Sequence, residues 1–416
     1  MRTQPSWLID LSDPDSFRDG PPHELFRRMR DEAPVVWSDR PATWDVQPDD
    51  PPGWWNVTRF TDIARVSQDW ETYSAWLGGP LLRPSDVASL EEIRMMMSGK
   101  DGEPHQRQRL TVNKVFTPGR VAKLEPKIRE RVTDLLDAIL DQPECDLVND
   151  FSGPLTVHMI GDLLGIPDTD RDKLAFWADA ITAPNDPDLA HIDTHAVFQE
   201  SAAYLFGVLQ ERAAHPQDDL ITALGQVTYD DGTHMSPEDQ VGVFLQLIGA
   251  AIDSTRSTLG SGTRAFIENP AQFAALTQDP GRARAAVEEM LRYAPAFTYF
   301  RRTATVDTEL GGTQIKAGDA VVIWFVSGNR DERVIDRPDV FDITRPAICP
   351  HQAFGGGGRH FCLGSALVRQ ELVVVFEEIA RRVGTIEFTG SPARTRSMII
   401  NGYKTFPVRL SSKALG

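Results

Sequence analysis

A single stretch limits what this chain can fold into. Ser236-Pro237-Glu238-Asp239 is laid out as a helix start, with Ser236 at the N-cap, Pro237 at the first helical position and Asp239 completing a capping-box pattern. The helical pattern then runs unbroken to Asn269-Pro270. This predicts a helix of about 33 residues, ~50 Å long at 1.5 Å per residue, which must cross a whole domain. From Val243 to Ile252 it is apolar except for Gln246, so its middle is expected to be buried all round. Asp253 and Ser254 follow at once, inside the buried part.

A buried carboxylate is costly unless it is paired or used. Gly249, Ala250 and Ala251, about one turn earlier, leave room for something large against the helix face. The Ser254 hydroxyl is placed to bond the carbonyl four residues back and bend the helix. Two readings stand side by side. In one, Asp253 is ion-paired to Arg256 or another arginine and the small residues serve close helix packing. In the other, the acid is chemically active and a ligand lies over the small residues.

The rest of the pattern is mainly α with small β-sheets. Helical periodicity covers Val121 to Asp141, Leu155 to Leu164, Arg171 to Ile181 and Ala196 to Ala214. Trp54-Trp55-Asn56-Val57-Thr58 reads as the best early strand; later strands are expected between Thr303 and Val326 and in the segment Met398 to Leu410. No glycine-serine linker divides the 416 residues. One domain over 1–416 is therefore expected, with 1–16 as an extended N-terminal segment. The formal charge is −17, which disfavours nucleic acid and anionic membrane as partners. Three cysteines make no disulfide framework and suit a reducing compartment. No apolar run is long enough for a signal peptide or a membrane anchor, so a soluble, cytoplasmic protein is expected.

A second constellation lies at Phe354 to Gly364, FGGGGRHFCLG. Its glycines free the backbone to fold tightly against a flat ligand. Cys362 stands just ahead of a helical pattern, SALVRQELVVVFEEIARRV, where backbone N–H groups stabilise a thiolate and let it ligate iron. The GK[ST] ending of a phosphate-cradling loop is missing. His360 is poorly placed to activate Cys362 as a nucleophile. A structural glycine turn with a buried cysteine stays open.

With these residues the chain resembles the cytochrome P450 family. Phe354, Gly356, Gly358, His360, Cys362 and Gly364 fit the haem-binding signature, although Phe354 lies one residue further from the cysteine than in the commonest form. That longer loop resembles actinobacterial members acting on sterols and methyl-branched lipids. Glu289-Met290-Leu291-Arg292 resembles the family's ExxR motif, and Arg345 falls where its third partner stands. Glu and Arg at i, i+3 share a helix face, and the three are expected to form a buried structural charge network. His105 and Arg109 resemble the helix that binds a haem propionate, and Arg302, with Arg301 as a one-residue alternative, the second propionate arginine. Asn329-Arg330-Asp331 also stands in family order.

The resemblance implies a P450 fold with the long central helix over haem b and Cys362 as the thiolate ligand of its iron. The cofactor-binding set is then His105, Arg109, Arg302, His360 and Cys362. It further implies a monooxygenase that inserts one oxygen atom from O2 into a lipophilic small molecule of sterol, terpenoid or branched fatty acid type. Asp253 becomes the proton-relay acid, and Ser254 stands where the family usually has threonine. Serine keeps the hydroxyl but lacks the methyl that limits its rotation, so leakier coupling is expected. Met96, Ala250, Ala251, Phe297 and Thr298 fall at pocket-lining positions. Electrons are expected from a separate ferredoxin, docking on a basic patch around Arg107, Lys114, Arg359 and Arg369. A peroxide-driven oxygenase and a non-catalytic haem or lipid binder are the competing readings.

Overall fold

The computed structural model describes residues 2–47, 50–83, 89–113, 116–183, 186–189, 191–229, 231–346 and 349–413. Its helices are α1 (His23–Glu32), α2 (Phe60–Gln68), α3 (Leu90–Met95), α4 (Gly102–Asn113), α5 (Pro118–Ile139), α6 (Gly153–Leu164), α7 (Arg171–Thr182) and α8 (Thr194–Ala214). They continue with α9 (Leu220–Gly225), α10 (Pro237–Glu268), α11 (Pro270–Gln278), α12 (Ala283–Tyr293), α13 (Phe325–Gly328) and α14 (Ser365–Arg382). The strands are β1 (Val35–Asp39), β2 (Gly53–Val57), β3 (Tyr73–Ser74), β4 (Cys145–Asp146), β5 (Tyr299–Ala304) and β6 (Thr308–Leu310). They are followed by β7 (Thr313–Ile315), β8 (Ala320–Trp324), β9 (Val383–Phe388), β10 (Ala393–Arg394), β11 (Tyr403–Thr405) and β12 (Pro407–Ser412).

The long helix is α10. Ser236 Oγ accepts the Asp239 N–H at 3.1 Å, which is half of the expected capping box. The other half is absent because the Asp239 carboxylate pairs with Lys100 instead. α10 threads two apolar cores. Val241 to Ile252 packs among α3 and α6–α9, while Leu259 to Phe266 packs among α5, α11, α12 and α14. Burying each such Leu, Ile, Val or Phe side chain stabilises the fold by about 1.5–3 kcal/mol. The polar stretch Asp253 to Thr258 falls at the joint between the cores.

A five-stranded sheet, β1-β2-β8-β5-β3, flanks the helices. β2 pairs antiparallel with β1 (Trp55 opposite Trp37) and parallel with β8 (Trp55 opposite Val321). β6 and β7 form a hairpin across Gly311-Gly312, whose φ of +56° and +79° meet the two-residue turn's need for left-handed backbone. β4-β12-β9 and β10-β11 complete the sheets. β9 follows directly on α14, a strand the sequence reading did not anticipate.

Glu289, Arg292 and Arg345 come together as a buried network. Arg292 Nε donates to Glu289 Oε2 at 2.7 Å and Arg345 Nε to Glu289 Oε1 at 3.1 Å. Arg292 also donates to the carbonyls of Asn329, Pro338 and Val340, and Glu289 Oε1 accepts the Asp342 N–H. These bonds fasten α12 to the meander that leads into the Cys362 loop. Replacing Arg292 by Met leaves Glu289 and three carbonyls short of donors. It is expected to cost roughly 3–5 kcal/mol, the scale for breaking a buried pair, read as a lower urea midpoint. Arg345→Met is expected to lower the midpoint less.

Candidate active site

Cys362 stands where the loop from Phe354 turns into α14. Its N–H donates to Phe354 O at 2.9 Å, closing the loop on itself. Gly355, Gly357 and Gly358 have φ of +94°, +96° and +74°. A Cβ on Gly358 would lie 2.5 Å from Ser67 O, so only glycine lets this loop lie flat on the end of α2. Burial pushes the Cys362 thiol up; the backbone N–H groups of Gly364 and Ser365, with Arg109 and Arg369, pull it the other way. A metal ion on the sulfur would tip that balance to the thiolate.

Cys362 lines a cavity together with residues of α10. Gly249, Ala250, Ala251, Ser254, Thr255 and Thr258 contribute from the helix. Gly249 also admits Ile181 of α7, since a Cβ there would sit 3.2 Å from it. Small side chains therefore serve helix packing at Gly249 and cavity space at Ala250 and Ala251. Met96 and Phe297 line the cavity as expected from their positions. Thr298 does not. Its hydroxyl donates to Met398 O, because the Phe297–Ile400 bridge draws this segment against the C-terminal turn.

The charged groups gather at one end. His105, Arg109, Arg302 and His360 all line the cavity. Arg301 turns the other way and donates to Leu82 O, which resolves the one-residue alternative in favour of Arg302. His360 Nε2 lies 3.4 Å from Asp101 Oδ1, and the His105 and His360 rings are 4.5 Å apart. Burial lowers His105 to about 3, so it is neutral, and its buried Nδ1 has no partner among the described residues. Burial also lowers Arg302 to about 10 and shifts Arg109 downward. Among the described residues neither arginine forms an ion pair.

Whether haem fits is decided by these unmatched groups. Two guanidinium groups without anions call for two carboxylates on a ligand. A cysteine lining a largely apolar cavity offers its sulfur to a metal held in an apolar frame. Haem supplies both, and the residues present fit it.

Asp253 is 1% exposed and does not itself line the cavity. It pairs with Arg256, which also holds Asp179 of α7, and it accepts the Thr182 hydroxyl. The ion-pair reading of Asp253 is thus realised, one residue from the cavity. Burial raises its pKa, with Arg256 opposing. Ser254 Oγ donates to Ala250 O at 2.6 Å, the back-bond expected from the sequence.

The basic patch needs correction. Arg107 pairs with Asp231 at 2.8 Å and Arg369 with Glu288 at 2.6 Å, so both are neutralised by residues remote in sequence. Lys114 lies outside the described residues. Arg359 stays exposed, over the Trp70 ring and 3.3 Å from Gln106 Oε1. Sequence reading missed Asp101, Thr182 and Glu371. Glu371 lines the cavity from α14, and burial raises it to about 8. Its apolar helical neighbourhood was the available signal; nothing in sequence joins Asp101 to His360 or Thr182 to Asp253.

Among the described residues, no helix is long and apolar enough to cross a membrane. A family model described as cytochrome P450 matches residues 193–383. A steroid C26-monooxygenase of Rhodococcus jostii is 34% identical over 404 residues, covering 96% of this chain and 84% of the relative. A methyl-branched lipid omega-hydroxylase of Mycobacterium tuberculosis is 35% identical, covering 97% and 93%. A solved cytochrome P450 of Mycobacterium marinum, in complex with pseudoionone, superposes with a TM-score of 0.89 at 32% identity, covering 98% of this chain and all of the other. The chain therefore belongs to the cytochrome P450 family and is a monooxygenase with a thiolate-ligated haem.

Proposed function

We propose that this enzyme hydroxylates an unactivated, chain-terminal carbon of a sterol-like or methyl-branched lipid, with electrons delivered by a separate ferredoxin. The observation that carries the reading is the cavity itself, apolar along α10 and cationic beside Cys362. The relatives named for C26 and omega oxidation support a branched aliphatic terminus as the reacting end.

In this reading Cys362 ligates the iron, and Arg109, Arg302, His105 and His360 receive the haem carboxylates. Haem, when bound, supplies two-electron activation of O2 and insertion of one oxygen atom. The chain's own contribution is to exclude bulk water, orient the lipid and meter protons. Asp253, raised by burial, holds a proton closer to neutral pH than a surface aspartate does. Thr182 both bonds Asp253 and lines the cavity, and so bridges the acid to the reacting space. The Ser254 hydroxyl donates its hydrogen bond to Ala250 O, which leaves its oxygen lone pairs to accept from a water in the cavity. Without a methyl, the Ser254 hydroxyl is freer to rotate, and some reducing equivalents are expected to leave as peroxide.

The reading is tested by titrating the ferric enzyme with sterols, terpenoids and branched fatty acids and following displacement of water from the iron. Binding of such lipids supports it; a response confined to small polar compounds contradicts it. Asp253→Asn should slow turnover about 10²-fold, the lower scale for losing a positioned acid, with substrate affinity unchanged. Equal turnover removes Asp253 from the relay. On the exposed loop beside Cys362, Arg359→Glu should lower the ferredoxin-supported rate several-fold, an effect that fades at high salt, while the reduced spectrum stays normal.

A further inference from the structure

Hydrocarbon side chains such as Ile93, Met96, Met97, Val243 and Leu247 form much of the cavity wall. Gln246 interrupts it, the one polar side chain between Val243 and Ile252. Its Oε1 accepts the Ser98 N–H at 2.8 Å. Only the oxygen end of an amide accepts an N–H, so this bond fixes which way round the amide lies. The anchor is firm. Met95 O approaches Gly242 so closely that a Cβ there would overlap it, which pins the segment carrying Ser98 to α10.

Four of the other hydroxyl side chains lining the cavity are engaged. Thr156 donates to Ser152 O, Thr182 to Asp253, Ser254 to Ala250 O and Thr258 to Ser254 O. Gln246 Nε2 has no acceptor among the described residues, and Ser98 lines the cavity with it. Gln246 precedes Ser254 by two turns of α10, about 12 Å at 1.5 Å per residue.

We propose that Gln246, seated on Ser98, is a specificity-determining donor for an acceptor oxygen on an otherwise hydrocarbon substrate. The oxygen is a keto, ester or hydroxyl group, held about two turns of α10 before Ser254. The proposal rests on the lipid reading above and names the second feature such a lipid must carry. A pre-fixed donor in an apolar wall recovers its lost hydration only when an acceptor reaches it. The pocket therefore favours amphiphiles over plain hydrocarbons.

The test uses the ferric holoenzyme and two probes, a long methyl-branched ketone and the hydrocarbon of the same skeleton. The ketone should bind about tenfold more tightly, the scale of one good hydrogen bond. Gln246→Glu keeps an oxygen for the Ser98 N–H but removes the NH2 group. It should lower ketone affinity about tenfold and change hydrocarbon affinity by less than about twofold. Ser98→Ala, which keeps the backbone anchor, should leave most of the ketone preference in place. Equal binding of the two probes by the unaltered enzyme, or a ketone preference that survives Gln246→Glu, overturns the inference and leaves the lipid reading standing. No response to either probe overturns the lipid reading, and this inference with it.

Discussion

The positive charge of Arg302 and Arg109, which form no ion pair among the described residues, is the constraint that organises this site. Arg302 is buried and, among the described residues, bonds only the Arg301 carbonyl; Arg109 is half-buried beside the same cavity. A protein does not hold two such cations against apolar walls for stability alone, because removing charge from water costs several kcal/mol per ion. The cost makes sense when a ligand brings the anions. His105, neutral and with no partner for its Nδ1 among the described residues, adds a further polar contact at the same end. Cys362 lines the same cavity, so one ligand there meets carboxylate-binding and sulfur-binding groups together. That requirement points to haem before any comparison is made, and membership of the cytochrome P450 family agrees with it.

α10 links this site to the rest of the fold. It runs from one apolar core into the other, and its polar residues fall where the cores meet. Asp253 is held there by Arg256 and Thr182, and Arg256 reaches Asp179 on α7. The acid is thereby tied to a neighbouring helix of the cavity wall. The small residues beside it divide the work: Gly249 admits α7 and Ala250 and Ala251 leave space over the reacting end.

Much of this was readable from residue order because the signals were local. Ser236-Pro237 and Asn269-Pro270 bracket α10 to within a residue. Glu289 and Arg292 share a face by spacing alone, whereas Arg345 joined them only through the family resemblance. The failures share a cause, since tertiary partners leave no mark on local sequence. Arg107 and Arg369 look like free cations in the chain and are neutralised by Asp231 and Glu288. Thr298 sits at a pocket position but is claimed by the Met398 carbonyl. β9 was hidden because Val383 continues the apolar pattern of α14.

The carbon monoxide difference spectrum of the reduced, haem-loaded protein addresses the central assignment most directly. The account predicts the red-shifted band of a thiolate-ligated haem in the unaltered chain and its loss in Cys362→His, with haem still bound. A band of imidazole- or thiol-ligated type in the unaltered chain, or an unchanged spectrum after the substitution, would contradict it.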